Sequence, residues 1–100
     1  MIATEWTEPA FSQLERLDTA TAFAAVRRVD LLEKFPEMGS PLKALSKYRQ
    51  LVIGGSHRIV YEYAAETETV YVLAVQHCRQ RLPSARDLRR RNQTDESGDY

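Results

Sequence analysis

The spacing of apolar residues changes once along this 100-residue chain, and that change fixes the class of fold. Between Thr7 and Lys34 the apolar residues recur at helical spacing, which is typical of helices that bury one face. Between Tyr48 and His77 they alternate at every second position, which is typical of β-strands. The chain therefore places helices before strands, and an α+β fold is predicted.

Two helices are predicted in the first third of the chain. Thr7 is suited to the N-cap of the first helix, which is expected to end near Asp18. Asp18, Thr19 and Thr21 are all suited to the N-cap of the second. The apolar stripes comprise Ala10, Phe11, Leu14 and Leu17, followed by Ala22, Ala25, Val26, Val29 and Leu32. Because so few residues join the two helices, they are expected to pack as an antiparallel hairpin.

One short strand is predicted before the hairpin and three strands after it. Residues 1–6 alternate like a strand, but the alternation leaves its place in the sheet open. The later strand-like runs are Tyr48–Ile53, His57–Ala64 and Thr69–His77. The links between them are short, which predicts an antiparallel meander. The last run is apolar on both faces, which predicts a position inside the sheet.

The remaining segments are predicted from their charge and from proline and glycine residues, which interrupt helices and strands. Residues 35–41 are rich in proline and glycine and are predicted to form an ordered turn. Pro83 and Ser84 open a short terminal helix. Residues 92–100 are polar and acidic, and a disordered tail is predicted there. Residues 1–91 are therefore expected to form a single domain.

The composition excludes several classes of protein. Hydrophobic residues make up 43% of the chain and charged residues 28%, which is typical of a folded globular domain. The chain lacks both an apolar run of roughly 18 residues and a signal peptide, so a cytoplasmic protein without membrane contact is expected. Cys78 is the single cysteine, and the two histidines lie far apart in sequence. Neither a structural metal nor a cofactor is expected.

The charges balance overall but are segregated along the chain. Fourteen basic residues offset fourteen acidic ones. Residues 49–91 contain four acidic residues and eight basic ones, and all eight are arginines: Arg49, Arg58, Arg79, Arg81, Arg86, Arg89, Arg90 and Arg91. Arginine can hold a phosphate through two N–H groups, so this block favours phosphate binding. For the four arginines of residues 86–91, the preferred alternative is the solvated face of a terminal helix.

Two groups of polar residues are candidates for a joint site. Arg58 lies near the start of one strand, where it either binds a ligand or pairs with Glu62 on the same face. Arg49 lies on the preceding strand. His77, Arg79 and Arg81 follow the last strand, a position where functional groups often lie. If the groups converge, they suit metal-independent RNA cleavage, which needs a proton carrier and cations around the phosphorane.

His77 is the candidate proton carrier of that site, because imidazole titrates near neutral pH. The alternative for His77 is a structural residue held by hydrogen bonds at the end of a strand.

The order of the elements, together with four short segments, resembles the RelE/ParE superfamily of bacterial toxins over residues 2–91. The segments are Phe35-Pro36-Glu37-Met38-Gly39, Tyr48-Arg49-Gln50-Leu51, His57-Arg58-Ile59-Val60-Tyr61 and Val75-Gln76-His77-Cys78-Arg79. The resemblance implies a helical hairpin packed on a twisted antiparallel sheet, with a short C-terminal helix. It also implies a growth-inhibiting toxin of a type II system, silenced by a cognate antitoxin protein.

The resemblance implies two targets, because RelE-like members cut mRNA on the ribosome and ParE-like members poison DNA gyrase. The tight helical join favours a RelE-like endoribonuclease (mRNA interferase), with the ribosome and mRNA as partners. On that assignment Arg58, His77, Arg79 and Arg81 are catalytic, while Arg49 and Arg86 bind RNA phosphates. The neutral net charge and the lack of a tyrosine in residues 82–91 keep gyrase inhibition open. An inactive remnant that only binds antitoxin is the third alternative.

Overall fold

Five strands and three helices form the structure, a computed structural model that describes residues 1–43 and 45–97. In chain order they are β1 (Ala3–Trp6), α1 (Glu8–Glu15), α2 (Thr19–Leu31), β2 (Ser40–Leu42), β3 (Leu45–Ile53), β4 (His57–Ala64), β5 (Thr69–His77) and α3 (Ala85–Ser97). The predicted α+β class, helical hairpin and meander are confirmed. The first helix ends at Glu15, three residues before its predicted end.

The strands form one sheet in the order β1-β5-β4-β3-β2. The neighbours β2, β3, β4 and β5 pair antiparallel, and β5 lies inside the sheet as predicted. β1 pairs parallel to β5 at the edge, so the sheet is mixed, which the predicted meander did not include. β2 overlaps the end of the predicted turn and contains Pro41, which an edge strand tolerates because its outer N–H groups need no partner.

Polar side chains fix the start of each helix of the hairpin. Asp18 is the N-cap of α2, and its carboxylate accepts hydrogen bonds from the Thr21 N–H at 3.1 Å and the Thr21 hydroxyl at 2.6 Å. These bonds, chiefly that from the hydroxyl, lower the pKa of Asp18. Thr7 precedes α1 but makes no side-chain cap; its buried hydroxyl donates to the Val72 carbonyl at 2.8 Å. The hairpin is thereby tied directly to β5.

The sheet separates two apolar clusters. The face that carries the hairpin, here the hairpin face, packs Ala10, Ala25 and Val29 of the helices on Leu51, Ile53, Ile59, Tyr61, Val70, Val72 and Val75. The opposite face, here the α3 face, packs Leu88 of α3 with Leu42, Tyr48, Val60, Leu73 and Ala74. Side chains alternate between these faces along each strand.

A β-bulge interrupts that alternation in β5. Val60 lies opposite Ala74, but the next residue, Tyr61, lies opposite Val72, so Leu73 is an extra residue in β5. Both Leu73 and Ala74 belong to the α3 cluster, so every later side chain of β5 is on the face opposite to the one that strict alternation predicts.

Side chains from both layers of helices satisfy the backbone at the bulge. From α1, the Gln13 side-chain oxygen accepts a hydrogen bond from the Val75 N–H at 2.9 Å. From α3, Arg91 donates to the Leu73 carbonyl at 2.9 Å. Burial lowers the pKa of Arg91, and nearby Asp87 opposes that shift. Arg91 therefore helps to anchor α3, which corrects its assignment to a solvated helix face.

The terminal helix is longer than predicted. It continues to Ser97, so residues 92–97 of the predicted tail are helical, while residues 98–100 lie outside the described part of the chain. Asn92 donates to the Glu62 carboxylate at 2.6 Å and joins the helix to β4.

We predict that Gln13→Ala lowers the free energy of unfolding by about 1–3 kcal/mol, because it removes the acceptor of the Val75 N–H next to the bulge. Urea unfolding at neutral pH measures this change. Gln13→Glu keeps an acceptor of the same length and is the matched control, expected to lose much less. Equal losses in the two variants would show that the hydrogen bond is not the cause.

Candidate nucleic-acid interface

Arg58 lies on the α3 face, near the end of the sheet where the β3–β4 turn begins. Its backbone pairs with Val52 of β3 on one side and with Gln76 of β5 on the other. The Val52 side chain is 48% exposed, so α3 does not cover this end of the face. Arg58 is therefore half-buried within the sheet yet open on one side.

The guanidinium of Arg58 contacts neutral acceptors. Nη2 donates to the Gln80 carbonyl at 2.6 Å, and Nη1 donates to the Gln50 side-chain oxygen at 3.5 Å. The buried Nε–H makes no hydrogen bond with the described residues. Because Nε is enclosed by the protein, a ligand would contact the guanidinium at its Nη groups, each of which carries a second N–H.

A second glutamine fixes the loop that follows β5. Gln76 is only 5% exposed, and its amide donates to the carbonyls of Gln80 at 3.2 Å and Arg81 at 3.0 Å. The Gln80 side chain accepts a hydrogen bond from the His77 N–H at 2.9 Å. The Gln80 carbonyl thus joins Arg58 of β4 to the loop that carries Arg81.

The positive charge at this end of the face is not neutralised by nearby carboxylates. Across residues 1–43 and 45–97, the two ion pairs join the N-terminus to Glu68 and Lys47 to Glu62. Neither involves Arg58 or Arg81. The side chains of Arg79, Arg81 and Arg86 are exposed. The interface can therefore attract and bind a phosphate group.

Glu62 does not pair with Arg58, although the two residues share the α3 face. Its oxygens contact Asn92 at 2.6 Å and Lys47 at 3.6 Å, at the opposite end of β4. The alternative in which Arg58 pairs with Glu62 is therefore wrong.

His77 does not join Arg58, because the bulge places it on the hairpin face. It pairs with His57 across the strands, and the two rings meet edge to face with centroids 5.1 Å apart. The Nδ1 atom of His77 accepts a hydrogen bond from the Arg79 N–H at 3.0 Å. The predicted convergence of His77 with the strand arginines is thus absent. The His77 ring instead contacts His57 and the backbone of the loop that follows β5.

Arg49 also lies on the hairpin face and holds the turn that precedes β2. Nη1 donates to the carbonyls of Glu37 at 3.2 Å and Gly39 at 2.7 Å. The buried Tyr61 hydroxyl accepts from the Gly39 N–H and donates to the Pro36 carbonyl. Burial raises the pKa of this hydroxyl. The turn is tight, because a Cβ at Gly39 would lie 2.6 Å from the Gln50 carbonyl oxygen.

Sequence reasoning missed Gln50, Gln76 and Gln80 as parts of the interface. One signal was available for Gln76, a polar residue within the longest apolar strand. Gln50 lies on the α3 face with Arg58 because of the strand register. Gln80 contributes its backbone carbonyl, a group that every residue type has and that the sequence therefore cannot reveal.

Among the described residues, no three histidine, cysteine, aspartate or glutamate side chains lie where they could together hold a metal ion. The helices of these residues are all too short or too polar to cross a membrane.

The family model for the ParE toxin of type II toxin–antitoxin systems, parDE, matches residues 4–82. The chain belongs to this toxin family. A comparison with curated proteins finds no match.

Solved toxin structures share the fold. A chain of the RelBE2 toxin–antitoxin complex from Mycobacterium tuberculosis is 26% identical, with a TM-score of 0.67, and the match covers 76% of the toxin described here and 96% of that chain. The isolated RelE toxin of E. coli is 15% identical, with a TM-score of 0.71 and coverage of 90% and 98%. The YoeB/ParE toxin from Agrobacterium tumefaciens is 21% identical, with a TM-score of 0.65 and coverage of 77% and 98%.

We predict that Arg49→Ala destabilises the toxin without changing its intrinsic toxicity. The variant loses two charge-assisted hydrogen bonds to the turn, each worth about 1.5–3 kcal/mol. Thermal unfolding checks the loss, and growth inhibition is compared at equal amounts of folded protein. A fully stable but non-toxic variant would instead assign Arg49 to the target-binding surface.

Proposed function

We propose that this toxin inhibits growth by cutting mRNA on the ribosome, with Arg58 bound to a phosphate of the message. The supporting observation is the Arg58 guanidinium, which lies half-buried beside the exposed Val52 on the α3 face, with neutral acceptors and no carboxylate contact among the described residues. Arginine is suited to this task because it remains charged and can donate to several phosphate oxygens.

The proposed reaction is an internal displacement in RNA. The ribose 2′-oxygen attacks phosphorus and forms a new P–O bond, while the bond from phosphorus to the 5′-oxygen breaks. The products are a 2′,3′-cyclic phosphate and a free 5′-hydroxyl. Arg58 and Arg81 would stabilise the negative charge that develops on the phosphorane oxygens.

The proton transfers are assigned to water or to groups of the ribosome. Both histidines of the chain lie on the hairpin face, away from Arg58. Val52 and Gln50, the side chains of β3 on the α3 face closest to Arg58, carry no acid or base. On this proposal the toxin contributes positioning and charge stabilisation, so cleavage depends on the ribosome.

The mRNA proposal is tested by primer extension on a reporter message in a cell-free translation reaction. We predict ribosome-dependent cuts with the wild type and a loss of about 10²–10³-fold in cleavage rate with Arg58→Ala. Arg16→Ala removes an exposed arginine at the end of α1 and is the matched control. His77→Ala, which leaves the α3 face intact, is expected to retain cleavage. Full cleavage by Arg58→Ala would refute the assigned site.

DNA gyrase is the second candidate target, favoured by the lack of a proton carrier beside Arg58 on the described α3 face and by the match to the ParE family model. Growth arrest with intact message and trapped gyrase–DNA cleavage complexes would support this target and overturn the mRNA proposal.

We further propose that a cognate antitoxin covers the apolar surface of the hairpin. The RelBE2 neighbour is a toxin–antitoxin complex. In the toxin described here, a groove of about 570 Å³ runs between α2 and the end of β3, and its lining includes Ala24, Leu31 and Ile53. Phe23 in the same groove is 63% exposed. An amphipathic helix or an extended strand would suit this groove.

We predict that Phe23→Ser weakens antitoxin binding by about tenfold or more, because an aromatic anchor in a groove contributes strongly to affinity. The product of the adjacent gene, co-purified with the toxin and titrated against it, provides the measurement. Phe11→Ser on α1 is the matched control, because Phe11 is also exposed but lies outside the groove. Unchanged affinity in Phe23→Ser would place the antitoxin on another surface.

A further inference from the structure

The contacts of Arg58 differ from those that would best stabilise a structural arginine. A half-buried guanidinium gains most from a carboxylate, which forms two charge-assisted hydrogen bonds with it. Here the acceptors are the Gln80 carbonyl at 2.6 Å and the Gln50 side-chain oxygen at 3.5 Å, and both are uncharged. These acceptors orient the guanidinium and leave its positive charge available.

Gln76 supports the stronger of these two contacts. Its buried amide donates to the carbonyls of Gln80 and Arg81, so the acceptor of Arg58 is held in place from within the sheet. A glutamate at position 76 could not donate these bonds, and its charge would lie beside Arg58, its partner in the strand pairing. An uncharged amide donates to the loop carbonyls and does not neutralise the positive charge of Arg58.

The remaining donors of the guanidinium show what this arrangement leaves for a ligand. Nη1 and Nη2 each carry two N–H groups, and the protein contacts use one of each, whereas Nε is enclosed by the protein and has no partner among the described residues. A tetrahedral oxyanion can accept hydrogen bonds from the remaining Nη donors and has a charge that complements the guanidinium.

We infer that Gln50, Gln76 and Gln80 are positioning residues that hold Arg58 without neutralising it, so that the remaining Nη donors of its guanidinium bind an RNA phosphodiester. The inference rests on the proposed function for the identity of the ligand. An oxyanion site at Arg58 that depends on uncharged neighbours can be measured without mRNA cleavage.

The decisive variant is Gln50→Glu, which changes the charge beside Arg58 and keeps the length of the side chain. The measurement is the NMR signal of the Arg58 Nε–H in ¹⁵N-labelled full-length toxin, titrated with inorganic phosphate. We expect a saturable shift in the wild type and an affinity lowered about tenfold or more in Gln50→Glu, with thermal stability unchanged or raised. Gln13→Glu, which adds the same charge on the hairpin face, is the control expected to bind phosphate like the wild type.

A second variant tests the support of the loop. Gln76→Met removes the two amide donors and keeps an unbranched side chain of similar size. We expect weaker phosphate binding although Arg58 retains its charge. If Gln50→Glu and Gln76→Met both bind phosphate like the wild type, the inference is wrong.

The same samples separate this inference from the proposed function. Phosphate binding that Gln50→Glu abolishes, in a toxin that leaves mRNA intact, supports the oxyanion site and refutes mRNA cleavage as its use. An Arg58 signal that ignores phosphate, in a toxin that does cut mRNA, refutes the site and leaves mRNA cleavage standing. A shift of equal size at Arg28, whose Nε–H is also buried without a partner among the described residues, would show unspecific binding and refute the site.

Discussion

The bulge at Leu73 is the constraint on which the two faces of this toxin depend. It inserts one residue into β5, and the inserted residue exposes backbone groups that the strand ladder leaves without its regular partners. Gln13 from α1 accepts from Val75, and Arg91 from α3 donates to the Leu73 carbonyl, so helices on opposite faces of the sheet meet at one irregularity. A buried peptide group without a hydrogen-bond partner would lower the stability of the fold. The side chains of α1 and α3 therefore stabilise the bulge, and the bulge in turn fixes where these two helices pack on the sheet.

The functional consequence of the bulge follows from the two-residue period of a strand. Beyond Leu73 it places Gln76 on the α3 face and His77 on the hairpin face. Gln76 can then reach the loop carbonyls that hold Arg58, while His77 meets His57 on the far side of the sheet. With strict alternation the two side chains would exchange faces. The bulge therefore favours a site built from arginine and amide groups over one built around an imidazole.

The sequence predicts most of the fold because hydrophobic periodicity reports which side chains are buried. It places the hairpin, β3, β4 and β5, and it identifies Arg58 as an unusual residue on a half-buried strand. It does not reveal the bulge, because both Leu73 and Ala74 are apolar and suit either face. It also does not reveal that Arg49 contacts the backbone carbonyls of the turn before β2. Backbone acceptors have no residue type, so contacts of this kind become visible only in the folded chain.

The neutral net charge does not argue against phosphate binding, because the charges of the α3 face are separated along β4. Glu62 is engaged by Lys47 and Asn92 at one end, and Arg58 lies four residues away at the other. Four strand residues span about 13 Å. At this distance the attraction between two unit charges is only about 1 kcal/mol at an effective dielectric constant of about 20, and Lys47 offsets the charge of Glu62. A phosphate at Arg58 therefore experiences a local positive potential, set by the position of each charge along the strand.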